Sequence, residues 1–338
     1  MKVRSVVGKS IFDNNRKLQI LAAGRAGIDL NTMDINCSFK DITGYTKSVG
    51  GSPANIAQGL AKLGIRTGFI GKVADNGMGE YIAETFDKAG IDREGMIFDK
   101  TGAPNCVAMT YIQSPTESGS FFYRNGTADL LITPEEISES YIANAAAVVL
   151  SGTAFSLSPS REAMFQIIEY ANGHNTKVIM DIDHRPFGWT SKEETAEVTN
   201  RALEACDIII GNREEFDTVE LIRMPGNRDN AASAEYYLNK KAEMVIIKDG
   251  PKGSICYCKG EAPIRCGIIM TKAIKTFGSG DAYAAGLLYG LCNGFTFLDA
   301  MKFGSACASI TLQTVSCAEG MPYPEQVNQY LLDHIFTE

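Results

Sequence analysis

The sequence predicts an α/β fold of three layers, α/β/α, built on a mainly parallel sheet with a small second sheet as a lid. Three features carry this. Short apolar runs alternate with amphipathic stretches along nearly the whole chain, as βα crossover units require. The amphipathic stretches stop repeatedly at Gly, as helices do. Two segments, 34–49 and 105–124, break the rhythm with polar–apolar alternation, the mark of half-exposed strands.

Taken in order, residues 18–24 read as a buried strand followed by a Gly-rich turn. Residues 53–63 have helical periodicity and end at Gly64, and 67–73 are strand-like. A second helix over 78–89 is closed by Gly90. The apolar runs 147–150, 178–181, 207–210 and 245–248 follow, separated by helical stretches at 161–171, 195–205 and 231–241. Such runs suit strands covered on both faces. The alternation at Cys256-Tyr257-Cys258 adds another strand. No repeat or Pro/Ser-rich linker divides the 338 residues, so one unit over about 18–330 is expected, its lid inserted as the two alternating segments. The lid's outer face would carry Tyr45, Val107, Met109 and Tyr111, an apolar surface suited to a homodimer contact.

Composition narrows the function. The hydrophobic fraction is 45% and charged residues make up 21%, so a large core is available. The formal net charge of −8 argues against a nucleic-acid or anionic-membrane binder, but leaves room for a small anionic ligand held by a local cation cluster. No stretch reaches the ~20 apolar residues of a membrane span. Residues 1–17 lack the apolar core of a signal peptide. With nine Cys, no C-x-x-C pair and three His without zinc spacing, a cytoplasmic protein with reduced thiols is expected.

Three Gly-rich turns could carry chemistry. In Lys275-Thr-Phe-Gly-Ser-Gly-Asp281, a Gly-Ser-Gly turn opens a helix that is apolar on nearly every side. The free N–H groups at Gly278, Ser279 and Gly280 suit an oxyanion or phosphate. Asp281 reads either as a helix-capping acid or as a reactive carboxylate in the first turn. In Gly50-Gly51-Ser-Pro-Ala-Asn55, the glycines allow close approach of a ligand, and Asn55 is a polar anchor or an incidental first-turn residue. Asp29, after the first strand, lies where open parallel sheets bind ligands, as a hydroxyl anchor or a turn former. No G-x-x-x-x-G-K-[ST] is present, and no G-x-G-x-x-G follows the first strand, which disfavours P-loop and dinucleotide chemistry.

Together, Gly50-Gly51-x-x-x-Asn55 and Gly278-x-Gly280-Asp281 at this separation resemble the two signatures of the ribokinase-like (PfkB) carbohydrate kinases. The likeness extends from about Leu18 to the C-terminal helix. Further segments, Gly24-Arg-Ala-Gly-Ile-Asp29, Tyr123-Arg124 with Ala128-Asp129, and Asp181-Ile-Asp-His-Arg-Pro186, are most similar to the subgroup acting on 5-dehydro-2-deoxygluconate in inositol catabolism. The 2-keto-3-deoxygluconate kinases are the nearest alternative, and a catalytically inactive sugar-acid-binding regulator is the alternative of another class. The resemblance implies ATP and Mg²⁺ as cofactors, with room for a monovalent cation, although Lys275 puts a positive charge where many relatives carry Asp or Asn.

It also implies roles. Asp281 would be the general base, with Gly278, Ser279 and Gly280 forming the anion cradle. Asp29, Gly50, Gly51 and Asn55 would hold sugar hydroxyls. The substrate carboxylate requires a cation, for which Arg124 and Arg185 rank above Arg25. Asn212 and Glu215 would organise the phosphates and, through water, Mg²⁺. Lys248, Gly250, Gly253 and Ser305 would border the nucleotide.

Overall fold

The computed structural model describes residues 10–186 and 188–337, so half of the N-terminal stretch read as lacking a signal peptide lies outside the described residues. Strands β1 (Leu18–Ala23), β2 (Gly27–Thr32) and β3 (Tyr45–Gly50) precede helix α1 (Ser52–Lys62). Then come β4 (Thr67–Ala74), α2 (Gly77–Ala89), β5 (Asp92–Asp99), β6 (Val107–Ser114) and β7 (Glu117–Tyr123). The middle of the chain runs α3 (Glu139–Ala143), β8 (Ala145–Ser151), α4 (Ser160–Gly173), β9 (Lys177–Asp181), α5 (Lys192–Leu203) and β10 (Ile208–Asn212). It continues with α6 (Arg213–Val219), α7 (Asn230–Leu238), β11 (Met244–Lys248), β12 (Ser254–Cys258) and β13 (Ile264–Cys266), and closes with α8 (Ser279–Cys292), α9 (Phe297–Thr311) and α10 (Pro324–Asp333).

Nine strands form the main sheet in the order β13-β12-β11-β10-β9-β8-β1-β4-β5. It is parallel from β11 to β5, with β12 and β13 added antiparallel at one edge. Successive residues of β1 enter opposite cores. Ile20 and Ala22 pack under α1, α2 and α8, while Leu21 and Ala23 pack on the side of α4. Both faces are therefore dry, which is why the central strands read as unbroken apolar runs. Helix α8 is wedged between α1 and α9, and glycines set its distance from each. A Cβ on Gly59 would lie 2.9 Å from Ala285 Cβ, and one on Gly286 would lie 2.8 Å from Gly304 Cα.

The second sheet has the order β3-β2-β6-β7 and stands over the carboxyl edge of the main one as a lid. Its composition corrects the expectation in one respect. Residues 34–44 form no strand but a loop with a 3-10 turn at Phe39–Asp41, and the first lid strand is β2, inside the segment read as a ligand turn. β2 pairs antiparallel with β3 and parallel with β6, so it is the lid's central connector. The edge strand β5 was also unexpected, because Asp92-Arg-Glu-Gly mixes charge into a half-exposed run. Residues Tyr45, Val107, Met109 and Tyr111 are half-buried, while Phe121 and Tyr123 are exposed on β7. All nine cysteines are free. Among the described residues no helix is long and apolar enough to cross a membrane.

Candidate active site

Strands β1, β9, β10 and β11 all point their carboxyl ends at one cavity of about 570 Å³ beneath the lid. This is where an open parallel sheet leaves backbone groups and loop side chains free to converge. Of the residues expected at the site, Asp29, Gly51, Asn55, Arg185, Asn212, Glu215, Lys248, Gly250, Gly278, Ser279, Gly280 and Asp281 line it. A second, more apolar cavity of about 370 Å³ shares Lys248, Gly250, Ser279 and Gly280 with the first, and is lined further by Gly253 and Ser305. The N-terminus of α8 thus sits between a polar chamber and an apolar one.

The turn ahead of α8 needs its glycine. Gly278 has φ +84°, and a Cβ there would lie 2.2 Å from Cys317 Sγ. The first N–H groups of α8 face the junction of the two cavities, with Lys248 Nζ 3.5 Å from where a Gly280 Cβ would stand. Lys248 is paired with Asp181 at 3.7 Å. Behind the turn, Lys275 is fully buried, its Nζ meeting the Val315 carbonyl at 3.4 Å and Cys317 Sγ at 3.5 Å.

Asp281 is enclosed by protein except where it meets the cavity. Burial pushes its carboxyl up to about 7, helped by the nearby Asp183 and opposed by a hydrogen bond from Asn55. That bond runs from Asn55 Nδ2 to Asp281 Oδ2 at 2.8 Å and joins residues 226 apart in sequence. Asn55 Oδ1 is buried without a partner, an open acceptor for a ligand hydroxyl. Gly51, with φ +104°, starts α1, and its carbonyl accepts from Asn55 N at 2.8 Å. Gly50 lies against Asp29 rather than in the cavity wall: a Cβ would fall 2.0 Å from the Asp29 carboxyl carbon. Burial raises Asp29 to about 6, and Arg25 and Lys275 pull it back down.

Asn212 and Glu215 form a reciprocal capping box at the start of α6, through Glu215 N to Asn212 Oδ1 at 2.8 Å and Asn212 N to Glu215 Oε2 at 2.7 Å. The motif is therefore structural as well as site-lining. Burial lifts Glu215 to about 7.

Two findings differ from the sequence reading. Arg124 is buried behind the cavity wall and does not line it. Its Nε pairs with Asp129 at 2.8 Å and its Nη1 donates to the Thr153 carbonyl at 3.0 Å, since the chain after β7 folds back on itself. Arg25, ranked below it, does line the cavity. Sequence reasoning also assigned no role to Asp181 and Asp183. Both are buried cavity carboxylates, and Asp183 takes φ +36°, accepts from Ser151 at 2.8 Å and pairs with Arg185 at 2.8 Å. Their place after β9 at the sheet's carboxyl edge was the available signal.

The sequence profile of the pfkB family carbohydrate kinases matches residues 18–324. The chain belongs to this family. Among its relatives, the 5-dehydro-2-deoxygluconokinase of Geobacillus kaustophilus is 45% identical over 324 residues, 96% of each chain. That of Bacillus anthracis is 42% identical, covering 95% of this chain and 97% of its own. Solved structures of the same fold include the fructokinase of Xylella fastidiosa with bound ATP, with a TM-score of 0.82 and 21% identity over 93% of this chain and 98% of that one. A putative ribokinase II from E. coli in complex with ATP and Mg²⁺ also has a TM-score of 0.82, at 16% identity, covering 94% and 100%. This pfkB chain therefore shares the ribokinase-like arrangement of sheet, helices and lid.

Proposed function

We propose that this pfkB carbohydrate kinase transfers the γ-phosphoryl group of ATP to the terminal (6-) hydroxyl of 5-dehydro-2-deoxy-D-gluconate. The observation that carries the reading is the placement of Asp281, a cavity-facing carboxylate in the first turn of α8, at the junction of a polar and an apolar chamber. Relatives named 5-dehydro-2-deoxygluconokinase at 42–45% identity support the choice of acceptor.

Phosphoryl transfer has a loose transition state, so alignment and charge stabilisation do most of the catalysis. The sugar acid fills the polar chamber, its hydroxyls held by Asp29 and the open Asn55 Oδ1, with the 6-hydroxyl against Asp281. Asp281 accepts that proton as the oxygen attacks phosphorus; a carboxyl near neutrality is suited to this. The N–H groups of Gly278, Ser279 and Gly280, with the dipole of α8, hold the transferring phosphoryl oxygens. Lys248 and Arg185 add fixed positive charge beside them. The apolar chamber, with Gly253 and Ser305, receives the nucleoside.

Asn212 and Glu215 offer oxygen donors at the cavity wall, which fits a hard cation that keeps its waters. Glu215 would hold Mg²⁺ through water, beside Asn212, and the metal when bound supplies charge neutralisation to the phosphates. The buried Lys275 ammonium already supplies a cation behind the anion turn, which bears on any use of a monovalent ion. The exposed Phe121 and Tyr123 on the lid support the expected homodimer contact. A coupled ADP-release assay over sugars and sugar acids tests the reading. Saturable turnover with 5-dehydro-2-deoxygluconate is expected. Preference for 2-keto-3-deoxygluconate, ribose or fructose would overturn the acceptor, and no ADP release with any of them would overturn the kinase reading.

A further inference from the structure

The polar chamber contains a buried cation that forms no ion pair among the described residues. Arg25, in the turn between β1 and β2, is 6% exposed and lines the cavity. Its Nε has no hydrogen-bond partner, and its Nη1 meets only Cys106 Sγ, at 3.5 Å, among the described residues. The guanidinium lies over the Phe122 ring, its Cζ 5.3 Å from the centroid. Burial opposes its charge, but the field of Cys106, Asp129, Asp183 and Asp29 outweighs that cost and keeps it protonated.

Two of these carboxylates are already engaged, and Asp29 forms no ion pair with Arg25 among the described residues. Asp129 receives Arg124 Nε at 2.8 Å and the Thr127 hydroxyl at 2.6 Å. Asp183 receives Arg185 at 2.8 Å and the Ser151 hydroxyl at 2.8 Å. A buried guanidinium N–H without a hydrogen-bond partner is costly, and a ligand carboxylate that accepts from it would remove that cost. The other candidate cations are placed differently. Arg124 is engaged behind the wall, and Arg185 is paired with Asp183 at 2.8 Å.

We propose that Arg25 is the specificity-determining residue for an acidic acceptor, pairing its Nε and Nη face with the substrate carboxylate. The planar fork suits a carboxylate, and Phe122 and Cys106 keep it from turning away. This rests on the sugar-acid reading above and names the group that enforces it.

The test compares 5-dehydro-2-deoxygluconate with its primary amide, which keeps the size and hydroxyls and loses the charge. In Arg25→Gln, the acid-to-amide ratio of kcat/KM should fall about 10- to 100-fold, mostly through the KM of the acid, as loss of a charge-assisted pair implies. An unchanged ratio, or equal losses on both substrates, would overturn the proposal. Arg25→Lys keeps a charge without the fork; its ratio should fall at least about threefold, and it decides the matter if Arg25→Gln does not fold. Calorimetry with gluconate separates this from the kinase reading. If the wild type fails to phosphorylate the acid, the acceptor reading falls, while gluconate binding that disappears in Arg25→Gln still supports Arg25. Absence of gluconate binding to the wild type, or equal binding to both, overturns it.

Discussion

Replacing Asn55 with Ala removes the donor that touches the Asp281 carboxylate. The bond is 2.8 Å long, runs to an ionisable acceptor and holds the Asp281 carboxyl lower than burial alone would. Hydrogen bonds to charged groups contribute about 1.5–3 kcal/mol. At about 1.4 kcal/mol per pH unit, its loss should move the Asp281 titration upward by about one to two units, from about 7. The sign follows from the role: a general base works ionised, so activity falls as pH drops through its titration. The acidic limb of the pH profile of kcat/KM, which reports the free enzyme, should therefore shift to about pH 8–9. At pH 7 the ionised fraction would drop from about half to roughly a tenth or a hundredth, a loss of about 5- to 50-fold that shrinks toward pH 9.5. Loss of the Asn55 contact to the sugar adds a factor that is the same at every pH. A uniform loss with an unmoved limb would refute the argument and leave Asn55 as a sugar ligand alone.

Asp281→Asn should lower kcat by about 10²–10⁴-fold with little change in sugar-acid binding. Because the folded-state carboxyl is raised from 3.8 to about 7, stability is lost as pH rises from about 4 and the loss is complete above about 7, so the same variant should melt higher than wild type at pH 8 and nearly alike at pH 4. Arg124→Met should strand the buried Asp129 and cost about 3–5 kcal/mol, read as a lower Tm, while the acid-to-amide ratio stays at the wild-type value. A selectivity loss without destabilisation would return Arg124 to the substrate.

The parts of this protein legible in the sequence are those set by local chemistry. Gly278, Gly280 and Asp281 announce an anion site because a helix start, its free N–H groups and the residues that expose them are contiguous. The central strands are legible because both faces are dry. Strand β2 was hidden because Gly27-Ile-Asp-Leu-Asn-Thr is short and follows a Gly turn, so its pairing with β3 and β6 is decided by tertiary contacts. Strand β5 was hidden by the charge of an edge position. The arginines show the sharper limit. Tyr123-Arg124 is a stronger pattern than Gly24-Arg25, yet Asp129, five residues on, binds Arg124 in the fold, and nothing near Arg25 in the chain says that it is left unpaired.

Strand order also carries a history of synthesis. After β8 is laid beside β1, the strands from β9 to β13 are each added next to the one just made, so the sheet extends along a single edge in the direction of translation. Asn55 and Asp281 are 226 residues apart, which at about 5–20 residues per second corresponds to roughly 10–45 s on the ribosome. Arg25, Asp29 and Asn55 are thus made well before α8, which carries Asp281. A chain released at any point before α8 carries Arg25, Asp29 and Asn55 without the turn that holds Asp281.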